Sequence, residues 1–146
     1  MSDPYARNMF GQFNPYFAKR QISGKLAVVL DGTFEDRGLE LMLPSSRAVK
    51  ASEIHEIILS DEETGPGQRV NRIAYVGFIE IIQGGVIVVG DSVRISGQVI
   101  GKIAGFDETH MPNHLNIVLA GKRKTGRELD ASVESAITIG EKEEVD

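Results

Sequence analysis

Residues 85–106, GVIVVGDSVRISGQVIGKIAGF, decide the fold, because short apolar runs alternate there with glycine-containing turns. Residues 86–89 predict a buried strand, and Gly90-Asp91 predicts a turn after it. Residues 93–96 then alternate apolar and polar side chains, the two-residue period of a half-buried strand. The chain contains 16 glycines in 146 residues, and tight barrel corners need residues without a Cβ. We therefore predict an all-β protein, a small and mostly antiparallel β-barrel.

The same pattern extends along the chain in both directions. Further strands are predicted over residues 25–30, 38–43, 70–82, 99–106, 114–119 and 133–139. Gly77 is a predicted bulge inside the longest of these runs, and Asp31-Gly32 is a predicted turn after the first. Residues 47–59 are ambiguous, since their isoleucines fit helical spacing although the run also has strand character. We predict a short helical turn there, followed by a strand.

Three parts are predicted: an aromatic-rich N-terminal arm over residues 1–24, a barrel domain over residues 25–140 and an acidic tail over residues 141–146. Four aromatic side chains of the arm lie close together, namely Phe10, Phe13, Tyr16 and Phe17. Large apolar side chains are costly to leave in water, so residues 5–20 are expected to cover their own barrel or to dock on a partner. That partner is expected to be a second copy, which makes a homo-oligomer, or another protein.

Composition excludes several classes of function. The chain has no cysteine, which rules out disulfides, thiolate metal sites and a cysteine nucleophile. No basic segment leads into an apolar run at the N-terminus, and no apolar run is long enough to cross a membrane. We therefore expect a cytoplasmic protein without a membrane partner. The net charge of −5 and the scattered basic residues also disfavour nucleic acid, which needs a basic face.

The candidate site is the loop at residues 107–114, which connects two predicted strands and so lies at one rim of the barrel. Pro112 excludes a helix here, so both histidines of the segment are expected on a loop that bends back. The side chains predicted to bind a ligand are Asp107, Glu108, Thr109, His110, Asn113 and His114.

The chemistry of this loop is open to three interpretations. His110 and His114 have the H-x3-H spacing of a divalent-metal pair, to which Asp107 or Glu108 would add a carboxylate. The third histidine, His55, would have to come from a distant segment. The loop also suits a small polar or sugar-like ligand. In the third interpretation it only caps itself through hydrogen bonds from side chain to backbone.

These observations predict a non-catalytic small-molecule-binding or accessory barrel of unknown ligand, with residues 107–114 as the binding site. One alternative is a small metal-assisted enzyme that uses His110 and His114. Another is a structural subunit that assembles through the N-terminal arm.

The segment GVIVVGDSVRISGQVIGKIAGFD (residues 85–107), followed by NHLNIVLAG (residues 113–121), resembles the C-terminal half of the glucitol/sorbitol-specific IIA component of the sugar phosphotransferase system. His114 falls on the Gly-His position of that family, with Asn113 in place of the glycine, and residues 126–129 fall on its following turn. The resemblance implies a related small barrel. It argues against a phosphocarrier, because Glu80 stands where the family has its phosphorylated histidine. Residues 1–68 show no match.

Overall fold

The computed structural model describes residues 17–140, and all of the regular structure in that range is β. The eleven strands are β1 (Ile22–Phe34), β2 (Leu39–Glu40), β3 (Ser46–Val49), β4 (Ile54–Ser60), β5 (Arg69–Val70), β6 (Ile73–Gln83), β7 (Gly85–Val88), β8 (Ser92–Ile95), β9 (Gln98–Asp107), β10 (Asn116–Ala120) and β11 (Ala136–Gly140). No helix within residues 17–140 has the length and apolar character needed to cross a membrane.

Seven strands close into a barrel in the order β1-β11-β8-β9-β10-β4-β6, with β6 returning to β1. Every neighbouring pair is antiparallel except β10 and β4, which run parallel. Two small sheets, β2 with β5 and β3 with β7, lie outside the closed ring. The prediction of an all-β, mostly antiparallel barrel is therefore confirmed.

The barrel wall separates two apolar cores. Ile57 and Ile117 belong to the main core inside the barrel. Their chain neighbours Ile58 and Val118 belong to a second core, which also contains Leu39 from β2. Since alternate residues of a strand point to opposite faces, β4 and β10 are buried on both sides. Polar residues at their even-numbered positions are therefore buried as well, and this creates the candidate site.

Gly77 lies at an irregularity of β6, as predicted. The pairing of β6 shifts register beside Gly77 both against β4 and against β1. A Cβ at this position would collide with the carbonyl oxygen of Val28. The glycine is therefore required because the β1 backbone passes directly over it.

Other local predictions are wrong. Ser46–Val49 forms strand β3 and not a helical turn, because it finds a pairing partner in β7. Asp31-Gly32 is not a turn but part of β1, which continues through an irregular pairing with β6. In both places tertiary pairing overrides a local signal of turn or helix.

The segment at the chain start is described only from Phe17 onward. Phe10, Phe13 and Tyr16 lie outside the described residues, as does the acidic segment 141–146. Phe17 is fully exposed, and β1 already begins at Ile22.

Candidate ligand-binding site

The loop at residues 107–114 bends back, as predicted. The carbonyl oxygen of His110 accepts hydrogen bonds from the N–H groups of Asn113 (2.9 Å) and His114 (3.3 Å). This tight turn brings the rings of His110 and His114 to a centroid distance of 5.0 Å, tilted by 32°. The two histidines of the sequence motif therefore lie side by side.

Asp107 holds the loop on the barrel. Its Oδ1 accepts from the N–H of Thr109 (2.9 Å) and from Asn116 Nδ2 (3.1 Å). Its Oδ2 accepts from the N–H of Glu40 (3.1 Å). The bond from Thr109 is of the self-capping kind that the sequence left open, whereas the other two join β9 to β10 and to β2. Thr109 takes part in the capping through its backbone N–H.

Glu108 points to the other side of the loop. Its Oε2 lies 2.9 Å from Nη1 of Arg47, a residue of β3. The two terminal nitrogens of the Arg47 guanidinium also approach sulfur atoms: Nη1 that of Met42 (4.0 Å) and Nη2 that of Met111 (3.9 Å). Glu108 and Arg47 thus fix the loop against the small outer sheet.

The ring of His55 hydrogen-bonds to a backbone group and is not part of the histidine pair formed by His110 and His114. Its Nδ1 accepts from the N–H of Leu115 (3.0 Å), so the proton of the neutral ring is on Nε2. That Nε2 lies 3.0 Å from Glu53 Oε1. The N–H of Lys50 and the ring of His55 both lower the pKa of Glu53, the backbone bond being the stronger cause. His55 therefore pins the chain before β10 to strand β4.

Glu56 is the acidic residue of the site that was not predicted from the sequence. Its side chain is only 8% exposed, and its carboxyl group accepts no hydrogen bond from any residue of the described range 17–140. Burial raises its pKa to about 6, partly offset by the positive charge of Arg37. The signal in the sequence was an acid inside an apolar run, EIHEIIL (residues 53–59), a setting in which carboxyl pKa values rise.

His114 faces this carboxyl group. Its Nε2 lies 3.4 Å from Glu56 Oε1 but makes no hydrogen bond within the described part of the chain. Its Nδ1 lies 3.1 Å from Asn113 Nδ2, and the edge of Phe78 packs against the ring at 5.0 Å. Because an amide NH₂ group donates to Nδ1, the ring proton of neutral His114 is on Nε2 and points to the side of Glu56.

The distance between His114 and Glu56 is that of an ion pair, but the shifts in the pKa values of the two side chains argue against one. A stable ion pair would raise the pKa of the histidine and lower that of the acid. Burial, with His110 and His55 as weaker causes, instead lowers the pKa of His114, and the pKa of Glu56 is raised. Desolvation is therefore the larger effect. A neutral imidazole faces a carboxyl group that changes charge near pH 6.

Arg37 and Tyr75 complete the group. Arg37 Nε donates to the hydroxyl oxygen of Tyr75 (3.2 Å), and its Nη2 lies 3.5 Å from His110 Nε2. Tyr75 therefore keeps its own hydroxyl proton for another acceptor. We call the set of Arg37, Glu56, Tyr75, His110 and His114 the Glu56 cluster.

A shallow, open cavity of about 310 Å³ lies beside the Glu56 cluster. It is lined by Leu30, Asp31, Gly32, Glu56 and Tyr75. Pockets for small molecules begin at roughly this size, about 300 Å³. A larger cavity of about 610 Å³ lies between the β8–β9 turn and residues 122–131, and its lining includes Lys122, Lys124 and Asp130. We assign the site to the smaller cavity because the largely buried acid Glu56 lines it.

Of the metal ligands predicted from the sequence, only the two histidines lie next to each other in the structure. Within residues 17–140, no three His, Asp or Glu side chains lie together in a way that would hold a metal ion. His110 and His114 are adjacent, whereas Asp107 and Glu108 bond to other groups. A metal at this loop therefore stays a prediction, and its further ligands would have to come from water or substrate.

A family of unknown function, DUF6917, has a model that matches residues 16–140. The chain belongs to this family. Neither the curated proteins nor the solved structures include a match. The resemblance to the glucitol/sorbitol-specific component thus gains no support from these comparisons. In this DUF6917 chain Glu80 is exposed on β6, opposite Lys25 and Ile54, while the neighbouring Phe78 reaches the Glu56 cluster.

Proposed function

We propose that this protein binds a small, uncharged, hydroxyl-bearing ligand in the cavity beside Glu56. The proposal depends on one observation: a largely buried carboxyl group, which accepts no hydrogen bond from residues 17–140, lines an open cavity of ligand size. Its oxygen atoms are not cut off from solvent, so the cavity gives a ligand access to them. A bound hydroxyl group would replace solvent as the hydrogen-bond partner of this carboxyl group.

Two further atoms support the same interpretation. Nε2 of His114 and Oδ1 of Asn116 are buried and have no hydrogen-bond partner within residues 17–140. Asn116 is the register neighbour of Glu56 across the parallel strands, so both side chains lie on the same face of the barrel wall. His114 and Asn116 therefore both neighbour Glu56, which is the member of these three that lines the cavity.

The donors and acceptors match a hydroxyl group best. A hydroxyl both donates and accepts, so it can donate to Glu56 while it accepts from the hydroxyl of Tyr75, which also lines the cavity. Above about pH 6 the negative charge of Glu56 offsets the positive charge of Arg37. A ligand with a full charge would disturb this balance, so a neutral polyol or sugar-like compound is the preferred class.

The test is a thermal-shift and calorimetry screen of neutral polyols and monosaccharides, followed by variants. A ligand at about 100 times its Kd adds about 2.7 kcal/mol to the free energy of unfolding. We expect Glu56→Met and Tyr75→Phe to abolish the shift. Glu80→Gln, on the exposed face of β6, should retain it. If the thermal shift persists in both Glu56→Met and Tyr75→Phe, the ligand binds elsewhere on the protein. If only charged compounds produce a shift, the proposed ligand class is wrong.

The second candidate, a small metal-assisted enzyme, is favoured by the adjacent rings of His110 and His114. In that case the two imidazoles would hold the ion once His114 Nδ1 is released from Asn113, and the carboxyl group of Glu56, with its pKa of about 6, would be the neighbouring group able to take up or release a proton. Turnover that requires added metal and is lost in the double histidine variant would select this function over simple binding.

A further inference from the structure

A cavity of about 610 Å³ lies at one end of the barrel and shares no lining residue with the cavity beside Glu56. Its volume falls in the range of about 300–1,000 Å³ that small-molecule sites occupy. The β8–β9 hairpin forms one wall, and the chain between β10 and β11 forms the other. We call this space the lysine cavity, because Lys122 and Lys124 belong to its lining. It is a second candidate binding site.

The walls of the lysine cavity are held by hydrogen-bonded turns. Ser96 (φ 51°) and Gly97 (φ 85°) form the two-residue turn between β8 and β9. Turns with positive φ at both positions match the twist of the strands that they join. The N–H of Ser96 donates to the carbonyl oxygen of Ala136 (2.8 Å), and on the other wall the N–H of Leu129 donates to that of Thr125 (3.0 Å). The cavity is therefore formed before a ligand binds.

Much of the lining is apolar. Ile100, Leu129 and Ala131 are partly buried and pack against the main core. Ile95 is buried, whereas Val99 is 50% exposed. An apolar ligand would cover Val99 and remove its side chain from water, which is favourable. The lining therefore suits a ligand with an apolar body.

The two lysines of the lining lie on either side of an arginine that is held elsewhere. Arg123 donates to the carbonyl oxygens of Ile73 (3.2 Å) and Phe34 (2.9 Å). Its side chain does not line the lysine cavity, whereas Lys122 and Lys124 both do. The chain at residues 122–124 forms neither helix nor turn. The anchored Arg123 therefore directs its two neighbours to the cavity side of the segment.

The charge of the lining is not balanced. Neither Lys122 nor Lys124 forms an ion pair or hydrogen bond with another side chain of the described range 17–140. Asp130 is the one acid of the lining, so two lysines and one aspartate leave a surplus of one positive charge. This surplus stands in a chain whose net charge is −5. A negatively charged ligand would offset the repulsion between the two ammonium groups.

We propose that the lysine cavity binds a small carboxylate with an aliphatic or aromatic body. The carboxylate group lies between the ammonium groups of Lys122 and Lys124, and the apolar body covers Val99. A carboxylate carries a single negative charge, which matches the surplus of the lining, whereas a phosphate group carries about −1.5 to −2 charges at pH 7. This ligand differs in class from the uncharged compound proposed for the cavity beside Glu56, so the inference does not depend on that site.

Isothermal titration calorimetry of the full-length protein at pH 7 tests the proposal. The probes are octanoate and 4-phenylbutyrate, with octanamide and octyl phosphate as the neutral and the more highly charged analogues. The charge variant combines Lys122→Gln with Lys124→Gln. The matched control combines Lys50→Gln with Lys102→Gln, which removes the same charge from exposed lysines outside the lining.

We expect the parent and the control to bind both carboxylates. The charge variant should bind them about 3- to 30-fold more weakly, since two partly exposed ion pairs are lost. Asp130→Asn should bind them more tightly because it removes the one negative charge of the lining. Asparagine also tolerates the left-handed backbone at this position (φ 59°).

A parent protein that binds neither carboxylate would overturn the proposal, as would equal weakening in the charge variant and the control. Octanamide that binds as tightly as octanoate would show that the lysines do not select the ligand. Octyl phosphate that binds more tightly than octanoate would show that the ligand class is wrong. Loss of octanoate binding in Glu56→Met would place the carboxylate in the other cavity.

Discussion

At the scale of single residues, Glu56 is the most informative side chain of this protein. Its folded-state pKa of about 6 exceeds its ordinary value of 4.5, so the folded protein holds this proton more tightly than the unfolded chain does. The stabilising contribution is complete below about pH 4.5 and is lost as the pH rises through 6. At pH 7 the buried charge is therefore a net cost of at most about 2 kcal/mol.

Glu56→Gln should remove this cost because the amide carries no charge. We expect the variant to gain up to about 2 kcal/mol in free energy of unfolding at pH 7 and little or nothing at pH 4.5. Urea unfolding at the two pH values measures the difference, with Glu80→Gln as the exposed control. Equal effects of Glu56→Gln at both pH values would mean that Glu56 is not buried as a charge in the folded state.

The histidine pair has its own test. If His110 and His114 bind a divalent ion, zinc at about 100 times its Kd should add about 2.7 kcal/mol, which is several degrees in Tm for a chain of this size. The double change His110→Ala with His114→Ala should abolish that rise, whereas His55→Gln, which leaves the pair intact, should not. If zinc does not raise the Tm of the parent protein, the metal interpretation is wrong and only the polar-ligand site remains.

At the scale of elements, the bulge at Gly77 fixes how β1 crosses β6. A Cβ there would collide with the Val28 carbonyl oxygen, whereas at Gly32 the nearest atom would be Tyr75 Cδ2 at an ordinary 3.6 Å. We expect Gly77→Ala to lower the free energy of unfolding by about 1–3 kcal/mol, the usual cost of overpacking. Gly32→Ala should change it by less than about 1 kcal/mol. Thermal melts of both variants give the comparison, and equal melting temperatures would show that β1 can shift without cost.

The elements also show what the sequence could and could not predict. The strands of residues 85–106 were predictable because their turns and alternation are local, and the structure has β7, β8 and β9 there. Ser46–Val49 was not, because its strand character comes from β7. The loop at residues 107–114 was found from its two histidines. Glu56, Arg37 and Tyr75 reach the same place from distant segments, and only non-local pairing brings them together.

At the scale of the whole molecule, the barrel is closed by its first and last strands. β11 pairs with both β1 and β8. A chain that ends at residue 135 would leave the edges of β1 and β8 without partners, and unpaired edges promote aggregation. We expect that chain to aggregate or to lose cooperative unfolding, whereas a chain that ends at residue 140 should melt like the parent. A soluble, cooperatively folded 1–135 chain would show that the ring need not close.

This closure has a consequence for how the protein is made in the cell. During synthesis β1 emerges from the ribosome before all the other strands, and its second neighbour β11 is the last of the eleven to emerge. For that period the nascent polypeptide carries an open sheet with two unpaired edges, and on a polysome neighbouring copies hold the same edges close by. Folding of this barrel is therefore expected to finish only after β11 has emerged. Chaperones that shield strand edges during translation should raise its yield more than that of a barrel closed by early strands.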